Sequence, residues 1–490
     1  MSLEGAIAAN RFGLGARPGE IARASDNPKA WLMAQMSGPA PQLVPLDGGP
    51  FPNAGKLVGE EDAYKVAKFM AKGNKVTRKK DEEKAKLKMA DNAKPPADDM
   101  DAGDAADAKH KGGGGDGVER IRKIEYASEM ASRFALGFTT DRPFAERLVR
   151  FWSNHFTVSA KKKKVTLFAG DFEREAIRPN INGTFEDMLF AVVMHPAMQI
   201  YLDNWRSIGP NSKAGKNNGK GLNENLGREL MELYTLGVDG GYTQADVIAM
   251  AKLLTGFGLY DEHANGFGFY PERHEPGPIT LRGKVYQAGW DGSVAAIKDL
   301  AHDPATARNI ARKLAAHFIS DNPPRESVAR LEKTFNDTHG NLHALAQAIV
   351  NEPAAWSAEQ KKMRTPIEYV TAAMRLSGWP QTRDMDHQRN HLKRLLASVR
   401  VMGEVPFGAP SPKGWPDDAD SWNGADAMLG RIQWAKDFGS DLPASINASA
   451  AAEMALGPQL RPATKSAMAS ASSQNEAFAL LLASPEFQRR

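Results

Sequence analysis

Two carboxylates and an amide recur at helical spacing in residues 223–235 of this sequence. Successive residues of an α-helix rotate by about 100°, so Asn225, Glu229 and Glu232 are predicted to lie within about 60° of one another on one face. Such a face can present a general base, or oxygen ligands for a hard cation, to a cavity. If that face is buried, Arg228 is the expected counter-ion.

The same helix has a simpler interpretation. Glu224, Arg228 and Glu232 are spaced i, i+4, i+8. This spacing is typical of a solvated ladder of ion pairs, each contributing a few tenths of a kcal/mol. Burial of the face would favour the functional interpretation, and exposure would favour the ladder.

A histidine at a helix break is the second candidate. Pro196 disfavours the helical conformation at His195, and the short helix that follows is predicted to end at Asp203 and Asn204. These three side chains can face one cavity. Alternatively, His195 is a core histidine and the Asp-Asn pair caps a turn.

The loop of residues 207–221 is rich in Gly, Asn and Lys and can reverse the chain. We therefore expect the helix that follows it to pack antiparallel to the preceding helices. This packing predicts that His195, Asp203, Arg228 and Glu229 converge in space.

Three further residues give weaker signals for binding. His155 closes a turn after an aromatic helix, and His274 and Glu275 precede a Pro-Gly pair in a predicted loop. Loops on a rigid scaffold often hold binding residues, but a single His-Glu pair is a weak signal, and structural ion pairing explains His155 better than binding does.

Several standard catalytic patterns are absent from the sequence. Cysteine does not occur, which excludes disulfides, thiolate ligands and cysteine nucleophiles. No His-Glu-x-x-His, Walker-type phosphate loop or Gly-x-Ser-x-Gly elbow is found. A divalent metal held by carboxylates and histidine remains open as a cofactor, and its identity is unknown.

Charge and hydropathy exclude some partners. Lys+Arg 63 against Asp+Glu 59 gives a formal charge of +4, too weak a field to imply nucleic acid. No window approaches the roughly 18 apolar residues of a membrane span. No signal peptide is visible, so the sequence as written indicates the cytoplasm, and a trimmed N-terminus would leave the periplasm or export open.

The periodicity predicts a mainly α, multi-helix globular protein with a small β-hairpin and a disordered, charged insertion. Predicted helices include residues 119–156, broken near Pro143, residues 171–178, 185–194 and 223–235, and the hairpin is predicted within residues 266–286. We divide the chain into an N-terminal helical segment (1–71), the insertion (72–117), a central helical core with the candidate site (118–365) and a C-terminal helical lobe (366–490).

Motifs along nearly the whole chain resemble a bacterial family known as domain of unknown function 1800. They are Asn10-Arg-Phe-Gly-Leu-Gly15, Phe151-Trp-Ser-Asn-His-Phe156, Phe172-Glu-Arg-Glu-Ala-Ile-Arg178, His195-Pro-Ala-Met198, Tyr201-Leu-Asp-Asn204, Asn223-Glu-Asn-Leu-Gly-Arg-Glu-Leu-Met-Glu-Leu-Tyr-Thr-Leu-Gly237, Gly241-Tyr-Thr-Gln-Ala-Asp-Val247, His274-Glu-Pro-Gly277, Lys413-Gly-Trp415 and Ser484-Pro-Glu-Phe-Gln-Arg489. The block ending at Gly237 is the longest and most specific. The resemblance implies no established activity, but it implies frequent gene pairing with a family related to alkaline phosphatases and sulfatases, and export of many members.

Two hypotheses follow from the sequence, which does not decide whether the protein is an enzyme. In the first, a hydrolase-like enzyme uses acid–base or metal-assisted chemistry in a polar site between helices, with Glu229, Glu232, His195 and Arg228 as catalytic residues. In the second, the same residues form a structural network in a binding or assembly protein that acts with a phosphatase- or sulfatase-like partner. Asp203, Asn204, Asn225, His155, His274 and Glu275 are the candidate binding residues.

Overall fold

The computed structural model describes residues 1–45, 50–59, 114–218, 221–260, 262–263, 265–378, 385–443 and 446–490, without the side chains of 114–125, 218 and 385–389. Helix accounts for 61% of the chain, and the strands form two small two-stranded sheets, which confirms the mainly α prediction. Most of the predicted insertion, residues 72–113, lies outside the described residues. Its last four residues, 114–117, begin a long helix.

The helices fall into three classes. The α-helices are Leu3–Ile7, Glu20–Ser25, Pro28–Ala34, Gly114–Thr139, Pro143–His155, Ala169–Phe172, Phe185–Met194, Pro196–Tyr201, Lys213–Asn218, Asn225–Glu229, Gln244–Leu253, Trp290–Ala301, Pro304–Phe318, Arg325–Asp337, Leu342–Asn351, Pro366–Ser377, Met385–Val401, Ala425–Ser440, Ala448–Leu456, Pro462–Ala469, Gln474–Ala483 and Pro485–Gln488. The π-helical turns are Ala8–Phe12, Glu173–Ile177 and Leu230–Tyr234. The 3₁₀ turns are Val165–Leu167, Arg178–Asn180, Asn204–Arg206, Pro271–Arg273, Pro353–Trp356 and Gly457–Gln459.

Local signals explain where several helices begin. Pro143 occupies the first turn of its helix, where its missing N–H costs nothing, so the break predicted near Pro143 is confirmed. The Thr184 hydroxyl accepts the backbone N–H of Asp187 and starts the Phe185–Met194 helix at the predicted residue. Thr243 and Asp246 form a reciprocal capping box.

Two predicted helices are not regular. Residues 223–235 form an α-helix, Asn225–Glu229, followed by the π-turn Leu230–Tyr234. Residues 171–178 likewise pass from Ala169–Phe172 into the π-turn Glu173–Ile177. A π-turn closes i→i+5 hydrogen bonds and inserts an extra residue into the turn. The rotation of about 100° per residue assumed for Glu232 is therefore wrong beyond Glu229.

The β-structure is larger than the single predicted hairpin. Strand β1 (Phe257–Leu259) pairs antiparallel with β2 (Phe267–Phe269), and β3 (Ile279–Leu281) pairs antiparallel with β4 (Lys284–Tyr286). The first strand lies before the segment predicted as β. Residues 257–259 follow the Gln244–Leu253 helix after a turn of three residues, and a strand of three residues is too short to show an alternating pattern.

Two large hydrophobic clusters form most of the core of the described residues, and a small third cluster contains Ala6, Ala9, Ala16 and Ile21. The first contains buried residues from Ile7 to Ala355, and the second contains residues from Ile367 to Phe487 together with three from the Gly114–Thr139 helix. The domain boundaries proposed at 118 and 365 remain predictions. Among the described residues, no helix has the length and apolar character needed to cross a membrane.

Candidate functional site

A cavity of about 630 Å³ lies where the two hydrophobic clusters meet. Four elements form its walls: the end of the Pro143–His155 helix, one face of the Pro304–Phe318 helix, the π-turn Leu230–Tyr234 and the loop of residues 404–418. This volume suits a small-molecule site, since such sites typically occupy about 300–1,000 Å³.

A histidine and a lysine meet in the cavity wall. His155 is buried, and its Nε2 lies 3.1 Å from the backbone oxygen of Tyr234. A carbonyl can only accept, so Nε2 bears the proton and Nδ1 has a free lone pair. The Lys313 ammonium donates to that Nδ1 at 3.1 Å and to the Leu233 carbonyl at 2.9 Å.

Burial controls the protonation of this pair. Desolvation, with the nearby charges of Arg312 and Lys413, lowers the pKa of Lys313 to about 8. Desolvation and the Lys313 charge also hold the pKa of His155 well below its usual value. Near neutral pH, His155 is therefore a neutral acceptor, and a sizeable fraction of Lys313 becomes a free amine as the pH approaches 8.

Three cations that line the cavity have no acidic partner. Within the described part of the chain, Lys313, Arg312 and Lys413 form no ion pair with a carboxylate. Arg312 and Lys413 are exposed at the mouth, and Lys313 is half-buried behind them. This arrangement creates a positive potential directed at the cavity, which favours a negatively charged ligand.

The charged side chains on the opposite wall of the cavity are paired with one another. Arg147 pairs with Glu368, to which Arg490 also donates at 3.1 Å, and His317 contacts Asp417 at 2.8 Å. These buried pairs leave little free charge. Burial raises the pKa of Glu404 to about 7, and hydrogen bonds near the start of the Pro366–Ser377 helix and the Arg133 charge offset this only in part.

Two of the residues predicted from sequence, His155 and Glu232, line this cavity. Glu232 is half-buried and forms a hydrogen bond with Tyr242. Glu229 is half-buried on the same helix, and burial together with the Glu232 charge raises its pKa. The structure therefore places Glu232 in the cavity wall, whereas Glu229 is not among the described residues that line the cavity.

The predicted ion-pair ladder is present in part. Arg228 donates to Glu224 at 3.0 Å and to Gln244 at 3.0 Å. Asn225 is exposed, and its backbone N–H is accepted by the Asn223 side chain. This end of the helix shows the solvated contacts of the simpler interpretation.

His195 lies in a different cluster. Its Nε2 is 3.2 Å from Asp171 Oδ2 and 4.0 Å from Glu175 Oε2. Among the described residues, no hydrogen bond or ion pair joins His195 to Glu229, so the predicted convergence remains a prediction. Burial, together with the neighbouring Asp171 carboxyl, raises the pKa of Glu175 to about 8.

The other predicted binding residues have structural partners. Asp203 adopts a left-handed conformation (φ 57°) and pairs with Lys162 at 2.5 Å. Asn204 is fully buried and donates to the Gln199 side chain at 2.9 Å and to the Leu254 carbonyl at 3.1 Å. Both amide hydrogens of Asn204 are therefore used within the fold.

His274 and Glu275 hold loops together. His274 Nδ1 lies 2.8 Å from the Thr255 carbonyl, and its Nε2 accepts the N–H of Gly289 at 2.7 Å. Glu275 accepts two hydrogen bonds from Asn211, at 2.6 and 2.9 Å. With both histidine nitrogens occupied, this pair has no free group for a ligand in the described contacts.

Several residues of these clusters were not predicted from the sequence. Lys313 and Arg312 follow one another in an ordinary amphipathic helix, and nothing in their spacing marks them. Lys413 lies in a Lys-Gly-Trp motif of the family resemblance, which was a usable signal. Asp171 and Glu175 are separated by four residues and can share a helix face, but their relation to His195 required the tertiary fold.

The fold and the cavity define a mainly helical protein with a partly desolvated, cationic site between two cores. The chain belongs to the family described as "Protein of unknown function (DUF1800)", whose model matches residues 7–489. No curated protein and no solved structure matches the chain.

Proposed function

We propose that this protein is an enzyme that holds a small anionic substrate in the cationic cavity and uses Lys313 as a general base. One observation carries the proposal: Lys313, Arg312 and Lys413 line one cavity, and none is neutralised by a carboxylate in the described structure. Leaving Lys313 unpaired in its partly desolvated position is costly, so a ligand that supplies the negative charge is the expected compensation.

The geometry gives each group a distinct role. Arg312 and Lys413, at the mouth, attract and orient the anion. Lys313, deeper in the wall, uses two hydrogen bonds to fix its Nζ, one to His155 and one to a backbone carbonyl. In its amine form Lys313 accepts a proton from a water or hydroxyl group that attacks the substrate, and a pKa of about 8 suits this role near neutral pH. Glu232 is the second acid–base group in reach of the cavity.

A binding protein without catalysis is the second candidate, and it also has a supporting observation. Lys313 and His155 bind the carbonyls of Leu233 and Tyr234, as cationic and imidazole side chains do at helix C-termini. In that role the pair stabilises the π-turn, and the cavity stores or presents an anion. The association with a phosphatase- or sulfatase-like protein remains a prediction under either candidate.

The test combines anion binding with a substrate screen on the full chain. Inorganic phosphate, sulfate and short dicarboxylates are titrated by calorimetry, and phosphate, sulfate and carboxylic esters are screened for hydrolysis. Lys313→Met and Lys413→Met are compared with Lys29→Met, a change at an exposed lysine on the Pro28–Ala34 helix.

We expect wild type and Lys29→Met to bind an anion and turn over one ester class. Lys413→Met should weaken binding, and Lys313→Met should abolish turnover. Binding without turnover in wild type would support the second candidate. Absence of anion binding in wild type would refute both.

A further inference from the structure

A second cluster of ligating side chains lies outside the cavity. Asp171, Glu175 and His195 each offer one ligand atom, and these atoms all lie within 4.8 Å of one another. Asp171 lies in the last turn of the Ala169–Phe172 helix, and Glu175 lies four residues later in the adjoining π-turn. His195 reaches the same point from the break before Pro196.

Two buried polar atoms in this cluster have no hydrogen-bond partner. Asp171 is fully buried and His195 is 5% exposed, yet within the described part of the chain Oδ2 of Asp171 and Nε2 of His195 make no hydrogen bond. They lie 3.2 Å apart, but the oxygen is off the N–H axis of the ring. Buried polar atoms are almost always paired, so this defect points to an absent ligand between them.

The spacing fits two ligands of one ion. For bonds of about 2.1 Å to a metal, a separation of 3.2 Å between nitrogen and oxygen corresponds to an angle of about 100° at the ion. Glu175 Oε2 lies 4.0 Å from Nε2, and its side chain is 29% exposed. Glu175 can therefore adjust its position, and the cluster is open to ions from solvent.

The charge around the cluster also favours a cation. Arg174 donates to Asp171 Oδ1 at 2.8 Å and to Glu129 at 3.1 Å, and neither bond uses Oδ2 of Asp171 or the Glu175 carboxyl group. Two carboxylates, Asp171 and Glu175, thus face the same point as the His195 ring, and oxygen and imidazole donors directed at one point favour a cation there.

We propose that Asp171, Glu175 and His195 bind one divalent transition-metal ion of the class of Zn²⁺ or Mn²⁺. One imidazole and two carboxylates form a mixed nitrogen and oxygen donor set, which suits these ions better than Ca²⁺. This site is distinct from the cavity: Phe172 lines the cavity and its ring packs edge-on against His195, with 5.3 Å between the centroids. The proposal does not depend on the proposed function.

Metal binding makes a specific demand on His195. Without the ion, Nδ1 accepts the backbone N–H of Ala197 at 3.1 Å, so the neutral ring carries its proton on Nε2. Ligation through Nε2 moves that proton to Nδ1 and breaks the bond from Ala197. A change of the His195 tautomer on metal addition is therefore a signature of direct ligation, and nitrogen-15 NMR detects this change.

The site also connects to the N-terminal segment. Glu175 Oε1 accepts the N–H of Ala54 at 3.3 Å, and Arg174 donates to the Pro52 carbonyl at 2.9 Å. An ion that orders Glu175 would fix this segment against the core. Metal addition is therefore expected to raise the melting temperature.

The experiment measures metal content and binding on the full chain. Protein stripped with a chelator is titrated with Zn²⁺, Mn²⁺ and Ca²⁺ by calorimetry, and the metal content of untreated protein is measured by mass spectrometry. Glu175→Gln is the primary variant because its partly exposed side chain tolerates substitution. Asp171→Asn and His195→Gln are the buried variants, and Asp203→Asn is the matched control, since Asp203 pairs with Lys162 instead.

We expect one Zn²⁺ or Mn²⁺ per chain in wild type and in Asp203→Asn, with a rise in melting temperature and the tautomer change. Glu175→Gln should weaken the affinity at least about tenfold, as loss of a group supporting a metal site does. No stoichiometric binding, preference for Ca²⁺, or equal affinity in Glu175→Gln and wild type would overturn the proposal. If the buried variants fail to fold, Glu175→Gln still decides the outcome.

Discussion

Replacing Lys313 by methionine should stabilise the protein at pH 7 while removing its function. The pKa of Lys313 falls from 10.5 to about 8, a difference of 2.5 units. At about 1.4 kcal/mol per unit, charging this lysine costs the folded state about 3 kcal/mol. Methionine has a similar length and removes this cost, but it also removes two hydrogen bonds, each contributing about 1 kcal/mol. The net gain is about 1 kcal/mol.

The sign of this effect depends on pH. A lysine whose folded-state pKa is lowered makes the unfolded chain bind more protons between pH 8 and pH 10.5, so wild-type stability should rise with pH across that window. Above it, Lys313 is neutral in both states and Lys313→Met loses only hydrogen bonds. Urea midpoints at pH 7 and pH 10.5 should therefore reverse in order. Lys413→Met, at the exposed mouth, should change little. A loss of more than about 2 kcal/mol in Lys313→Met at pH 7 would show that Lys313 is only a structural cap.

Three further predictions can be checked by urea unfolding. Arg178→Met should destabilise by about 3–5 kcal/mol, because it removes the buried guanidinium that Glu146 and Glu173 share and leaves two buried carboxylates with only Arg150 and Arg133. Arg308→Met, at an exposed pair, should cost less than about 1 kcal/mol, and equal losses in the two variants would contradict this. Thr243→Ala should cost about 1 kcal/mol by removing the capping box, and an unchanged midpoint would contradict it. Glu229→Gln should leave the urea midpoint at pH 7 unchanged or raise it, because the raised pKa of Glu229 means that its charge is unfavourable in the folded state. The stability gain should vanish below the ordinary glutamate pKa, where Glu229 is protonated in both states. A lower midpoint than wild type at pH 7 would refute the reasoning.

The helices were predictable where local signals determine their ends. Thr184, Thr243 and Pro143 act within one turn of their own position, so sequence spacing alone locates these starts. The π-turn at Leu230–Tyr234 was not predictable. Its extra residue is stabilised by Lys313 and Asn309, which bind the carbonyls of Leu233 and Thr235 from a helix about 75 residues later.

The candidate site was also predictable only where residue type and local sequence carry the signal. His155 and Glu232 were found because their residue types suit acid–base chemistry and they occur in motif-like blocks. Lys313 was missed because a lysine on a helix is ordinarily solvated, and only burial and its contact with His155 make it unusual. His195 was correctly placed at a helix break, but Asp171, whose carboxyl lies 3.2 Å from its ring, comes from another helix, and only the tertiary fold brings the two together.

Each of the two candidate sites includes a residue from a π-turn. Among the described residues, two π-turns lie inside the sequence blocks that carry the family resemblance, and both bear site residues: Glu232 at the cavity and Glu175 at the proposed metal site. The third, Ala8–Phe12, overlaps the block that begins at Asn10. A π-turn weakens local helix hydrogen bonding, so it persists only where tertiary contacts stabilise it. At Leu230–Tyr234 those contacts come from His155 and Lys313. The proposed catalytic pair, His155 and Lys313, therefore also stabilises the turn that positions Glu232. Loss of activity in Lys313→Met could follow from either role of Lys313, so the pH dependence of the variant's stability is needed to separate the chemical role from the structural one.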